Sequence, residues 1–123
     1  MQPMHPEFAV VEDDAFCRDA WIATCTDAVV HAFPTPEAFW QAVERDLGLF
    51  ARLRCIVTDY HFDGSLGDDG LAFAAKVKKR GSIPVILASD ASLDRDQVLG
   101  VIDASVEKMP KTWKELAAIL NRR

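Results

Sequence analysis

Five side chains in this sequence have types suited to joint chemistry: Glu12, Asp13, Asp59, Ser89 and Lys108. Three carboxylates gathered in a small volume repel one another and raise one another's pKa. A hard divalent cation relieves that repulsion, and Mg²⁺ prefers oxygen ligands while retaining waters. Such a cluster suits Mg²⁺ (or Mn²⁺) held by Asp13 and Asp59, with Glu12 acting directly or through water. Lysine adds a compact positive charge suited to a phosphoryl oxygen, and serine can donate one hydrogen bond to another. Taken singly, each residue has a plainer role. Acidic residues before a helix favour its dipole, Asp59 can open a turn, Ser89 can cap a helix and Lys108 can reach into solvent. The joint reading depends on the elements that position them.

Strand-like and helix-like segments alternate along the chain. Phe8 to Val11 is a short apolar run that ends in Glu12-Asp13-Asp14. A helix is predicted from Ala15 to Thr26, with Asp14 as its N-cap and Phe16, Ala20 and Ala23 on one face. Val29 to Phe33 reads as a strand that Pro34 ends. Thr35 and Pro36 then start a helix, proline taking the first position, with Trp40, Val43 and Leu47 on one face. Cys55 to Val57 is a third strand, closed by Thr58-Asp59. A Gly- and Asp-rich loop runs from His61 to Gly70, and a helix from Leu71 to Arg80, with Gly81 as its stop. Ile83 to Ala88 is a fourth strand, Leu93 to Ile102 a weak helix and Ala104 to Glu107 a fifth strand. Trp113, Leu116, Ala117 and Leu120 mark a last helix.

Five apolar strands alternating with helices predict an α/β fold, a parallel sheet covered on both faces. Ligands of such sheets bind outside the carboxyl ends of the strands. Those ends carry Glu12-Asp13, Asp59, Ser89 and Lys108, so the predicted architecture brings the five side chains to one edge.

Composition narrows the function classes. The chain has 123 residues, half of them hydrophobic, which suits one domain over 1–123 with a real core. A net charge of −5 argues against direct contact with nucleic acid, which needs a basic patch. The basic run Lys76 to Arg80 reads as the solvated end of a helix. No apolar run approaches the roughly 18 residues of a membrane span, and the first residues do not read as a signal peptide, so the expected compartment is the cytoplasm. Cys17, Cys25 and Cys55 form no metal or redox motif and read as small buried thiols. Trp21, Trp40 and Trp113 read as packing residues.

The segments VVEDD, IVTDY, PVILAS and VEKMP, in that order on those elements, resemble the receiver domain of two-component response regulators. The resemblance covers nearly the whole chain. It implies a flavodoxin-like (βα)5 three-layer sandwich with strand order 2-1-3-4-5. It makes Glu12 and Asp13 the acidic pair, Asp59 the phosphoacceptor, Ser89 the switch hydroxyl and Lys108 the conserved-type lysine. The backbone carbonyl of His61 would complete the shell of a bound Mg²⁺. The implied partners are a sensor histidine kinase or histidine phosphotransferase and a downstream protein, with an open oligomeric state. Apart from phosphorylating and dephosphorylating itself, such a protein is no conventional enzyme.

The sequence departs from the family in places. Ser105 stands where an aromatic switch residue is usual, and Met109 separates Lys108 from Pro110. The segment between Ser89 and Lys108 is short, so the helix over 93–102 is expected to be short or irregular. The loop from Asp63 to Asp69 is long, and Asp90 replaces a small residue. These changes lead to the expectation that output uses the first or last helix, or the long loop. The end of the chain soon after the last helix leads to the expectation of a stand-alone receiver. A pseudo-receiver that keeps the fold but serves as an interaction module is the alternative. An aspartate-nucleophile phosphatase would carry a second aspartate where His61 stands, and a flavin protein would need a phosphate-cradling loop after the first strand.

Overall fold

The computed structural model describes residues 5–59, 70–88 and 102–122. Five strands occupy them: β1 (Glu7–Val11), β2 (Val29–Phe33), β3 (Leu53–Asp59), β4 (Val85–Ala88) and β5 (Ala104–Val106). All neighbours pair in parallel, in the order β2-β1-β3-β4-β5. The helices are α1 (Ala15–Thr24), α2 (Pro36–Arg45), α3 (Leu49–Arg52), α4 (Gly70–Arg80) and, after β5, α5 (Trp113–Asn121). This is the flavodoxin-like order expected of a receiver. The helix expected over 93–102 lies outside the described residues, apart from Ile102.

Period-two alternation along the strands sorts the core into two layers. Ala9, Val11, Ile56 and Val85 face one side and pack on Phe39 and Val43 of α2, Leu49 of α3, and Phe73 and Val77 of α4. Phe8, Val10, Cys55, Val57 and Ile86 face the other and pack on Trp21 of α1 and Leu116 of α5. Phe39 meets Phe73 edge-on at 5.3 Å, and Phe8 stacks on Trp113 at 5.8 Å. Aromatic pairs of this kind add to the area they bury. The three tryptophans thus pack as expected.

Helix starts follow the sequence signals. Asp14 accepts from the backbone N–H groups of Phe16 and Cys17, and Thr35 Oγ1 from that of Ala38 behind Pro36. At α5, Thr112 and Glu115 form a reciprocal capping box. The carboxylate of Asp27 takes the N–H groups of Trp113 (2.9 Å) and Lys114 (3.1 Å) as well.

Several expectations need correction. Phe16 is 82% exposed, and α1 instead turns Trp21 inward, with Cys25 beyond its end. Both faces satisfy a helical period, and the larger ring takes the core. Leu47 is also exposed, because the chain leaves helical angles at Asp46 before reaching it; Phe39 is the buried partner of Val43. Gly81 has no left-handed backbone. A Cβ there would lie 2.9 Å from Phe50 Cε1, so close approach rather than a turn explains it. The basic run is not merely solvated: Lys78 pairs with Asp103, and the Arg80 guanidinium lies over the rings of Trp40 and Phe50. Cys25 and Cys55 are buried free thiols, pushed up to about 11 and about 12 chiefly by desolvation, while Cys17 is only half-buried. Among the described residues, no helix is long and apolar enough to cross a membrane.

Candidate functional site

The register of the sheet sets the site. Val11 pairs with Thr58, and Asp59 with Ala88, which in turn pairs with Val106. The residues just past these ends therefore emerge side by side. The Glu12 N–H still donates to the Phe33 carbonyl at 2.9 Å, carrying the β1 ladder one residue further. Beyond it the chain turns into α1. Arg18, one turn into that helix, reaches back and donates to the carbonyls of Glu12 (2.8 Å) and Asp13 (3.0 Å). The acidic turn is thus tied down by its own helix.

Glu12 and Asp59 are buried and Asp13 is half-buried. One carboxylate oxygen from each lies within 4.8 Å of the others. Lys108 Nζ donates to Asp59 Oδ2 at 3.0 Å and stands 3.5 Å from Glu12 Oε1. The Asp14 N–H donates to Glu12 Oε1 at 3.2 Å. Burial and then the charge of Asp59 push the Glu12 carboxyl up to about 7, against the opposing pull of Asp14 and Lys108. Partial burial works against the Lys108 ammonium, but the hydrogen bond and charge of Asp59, with the charge of Glu12, hold its pKa above the usual lysine value. An all-oxygen donor set that is partly protonated for want of positive charge fits a hard divalent cation.

A pocket of about 200 Å³ opens beside these groups, with Asp59, Lys108 and Glu12 on one side and Phe16, Cys17 and Trp21 on another. Burial, then the charges of Glu12 and Asp14, raises the Cys17 thiol pKa, which leaves it a weak nucleophile.

The structure therefore brings together Glu12, Asp13, Asp59 and Lys108. Ser89 and His61 lie outside the described residues, as do Asp90 and the loop over 63–69. Ser105 lies exposed on β5, paired with Leu87, and Met109 is exposed beside the site. Arg18 and Cys17 were not among the sequence candidates. Their signal was present in the spacing, since the first turn of a helix that starts at the acidic residues must lie under them.

No family model matches the chain, and no curated protein matches it in sequence. Solved structures do match in shape. A response regulator receiver protein from Pseudomonas putida superposes with a TM-score of 0.73 at 17% identity, over 99% of this chain and 100% of that one. NtrX from Brucella abortus gives 0.74 at 20% identity, over 97% of this chain and 26% of that one. The Legionella pneumophila response regulator LqsR gives 0.67 at 14% identity, over 97% and 42%. This chain spans less than half of each of the last two. The strand order, the two helical layers and these superpositions lead to one conclusion: the chain has the fold of a response-regulator receiver domain.

Proposed function

We propose that the chain is a phosphoacceptor in two-component or phosphorelay signalling, with Asp59 taking a phosphoryl group from the phosphohistidine of a sensor histidine kinase or histidine phosphotransferase. One observation carries the reading. Asp59 is buried at the end of β3, hydrogen-bonded to Lys108 and within ligand distance of Glu12 and Asp13. On this reading an Asp59 carboxylate oxygen attacks phosphorus in line. A P–O bond forms as the P–N bond breaks, and the imidazole leaves with a proton. Such transfer depends on positioning and charge stabilisation. Lys108 neutralises a phosphoryl oxygen, and Arg18 keeps the backbone beneath Glu12 and Asp13 in place. A Mg²⁺ or Mn²⁺ ion held by Glu12, Asp13 and Asp59 supplies further charge neutralisation when bound. The family resemblance adds the His61 carbonyl to the metal shell and the Ser89 hydroxyl as a donor to the phosphoryl group. Output is by contact with a downstream protein, in the cytoplasm.

The test is intact mass after incubation with Mg²⁺ and a small-molecule phosphodonor. The wild-type chain is expected to gain one phosphoryl group, Asp59→Asn none, and Lys108→Met to gain it about 10²-fold more slowly. If the folded wild type gains nothing and binds no Mg²⁺, the chain is a pseudo-receiver acting as an interaction module.

A further inference from the structure

At the opposite end of the sheet, where β1, β3 and the approach to β4 begin, lies a cleft of about 690 Å³. Seven residues of β3 separate it from the acidic site, a span of about 20 Å. Pro6, Phe50, Ile83 and Pro84 give it an apolar lining, and Arg52, Arg54 and Arg80 give it charge, against the single carboxylate of Glu7. The chain as a whole carries −5, so the charge of this cleft is opposite in sign to that of the whole chain.

The arginines differ in how their charge is used. Arg52 donates to Glu7 Oε2 at 3.1 Å and to Asp46 Oδ2 at 2.9 Å. Glu7 is further engaged by His31 Nε2 at 2.9 Å. The hydrogen bond from His31, and then Arg52, hold the Glu7 carboxyl below its usual range despite desolvation. Arg54 and Arg80, both exposed, make no ion pair or hydrogen bond among the described residues. Arg80 instead lies 5.4 Å from the centre of the Phe50 ring and 5.7 Å from that of Trp40. Those rings stack with each other at 6.2 Å. A guanidinium placed over aromatic rings keeps its N–H donors for an oxyanion.

We propose that this cleft docks an acidic peptide segment of a partner protein. Two arginines with unspent donors above an apolar lining match carboxylates interleaved with apolar side chains. The arginines stand on an exposed rim, whereas a small-molecule site buries most of its ligand. The negative charge of the rest of the surface repels such a segment and steers it to this end. Docking there leaves the acidic end of the sheet open, and the inference stands whether or not Asp59 is phosphorylated.

The probe is a fluorescein-labelled octaglutamate peptide, followed by anisotropy in low salt with the full chain. The wild type is expected to bind it, Arg54→Glu and Arg80→Gln each to weaken it about tenfold, and Lys111→Glu, next to Pro110 of the acidic-site pocket, to leave it within about twofold. Far-ultraviolet circular dichroism checks that each variant is folded. No binding to the wild type would overturn the proposal. So would equal weakening by Lys111→Glu and Arg54→Glu, which would mean a response to net charge alone. Displacement by inorganic pyrophosphate at an ionic strength where chloride has no effect would also overturn it, by assigning the cleft to a small phosphate ligand.

Discussion

Glu12 gives the sharpest prediction because its burial and its charge are in conflict. Its carboxyl is pushed from the usual 4.5 up to about 7, by desolvation and then by the neighbouring charge of Asp59. Between those values the native chain holds a proton that the unfolded chain has released. Stability contributed by this group is therefore greatest at low pH and falls as pH rises through that window. Integrated over the window, the loss is about 3 kcal/mol, of which roughly 2.5 kcal/mol falls between pH 5 and pH 8. Glu12→Gln keeps the shape and removes the proton equilibrium. Urea unfolding in chelator at pH 5, 6, 7 and 8 should show the wild type losing stability relative to Glu12→Gln by about that amount. Mg²⁺ should restore the wild type more at pH 8, where Glu12 is ionised, than at pH 5. Parallel pH profiles for the two proteins would refute the reasoning, because they would mean that Glu12 ionises in the native state as it does in the unfolded one.

Asp27→Ala strips the Trp113 and Lys114 N–H groups of their acceptor. It should lower stability by about 1–2 kcal/mol at pH 7, read as a shift in urea midpoint without change of slope. The hydrogen bond from Trp113 is the main cause that holds the Asp27 carboxyl below its usual value. Its contribution is therefore present above the unfolded pKa and lost as pH falls through the folded one, so the gap between the two proteins should close on acidification. Phe39→Ala empties the contact among Phe33, Trp40 and Phe73 and should cost about 3–5 kcal/mol by the same measurement.

Much of this could be read in the sequence because the relevant signals are local. An apolar run followed by an acidic residue places a strand end, and Asp14 and Thr35 with Pro36 announce helix starts by their own chemistry. What escaped was of two kinds. The four residues of α3 are too few for a periodic pattern, and the face of α1 was ambiguous because Phe16 and Trp21 both fit a helical period. The remaining omissions are contacts across long separations. Asp27 caps a helix that starts 86 residues later, and Lys78 meets Asp103 across 25. Nothing in the spacing of such residues marks them as partners until the sheet order is known.

The position of Lys108 shows how these distant contacts reach the site. Its strand, β5, has only three residues and, among the described residues, pairs with β4 alone. So short a ladder specifies its register weakly, and a one-residue slip would turn every side chain to the other face. Asp103, immediately before β5, supplies the missing constraint. Its N–H donates to the Val85 carbonyl at 2.8 Å, and its carboxylate accepts the Val85 N–H at 2.8 Å. Lys78 of α4 donates to that same carboxylate and to the Ile83 carbonyl, fastening the start of β4 to the helix that covers it. With Asp103 locked against Val85, Ala104 to Val106 must pair with Ile86 to Ala88, and the chain emerges beside Asp59 with Lys108 two residues further on. The ammonium 3.0 Å from Asp59 is thus placed by a carboxylate at the far end of its own strand. A loss of Lys108 function is therefore to be sought at Asp103 and Lys78 as well as at Lys108 itself.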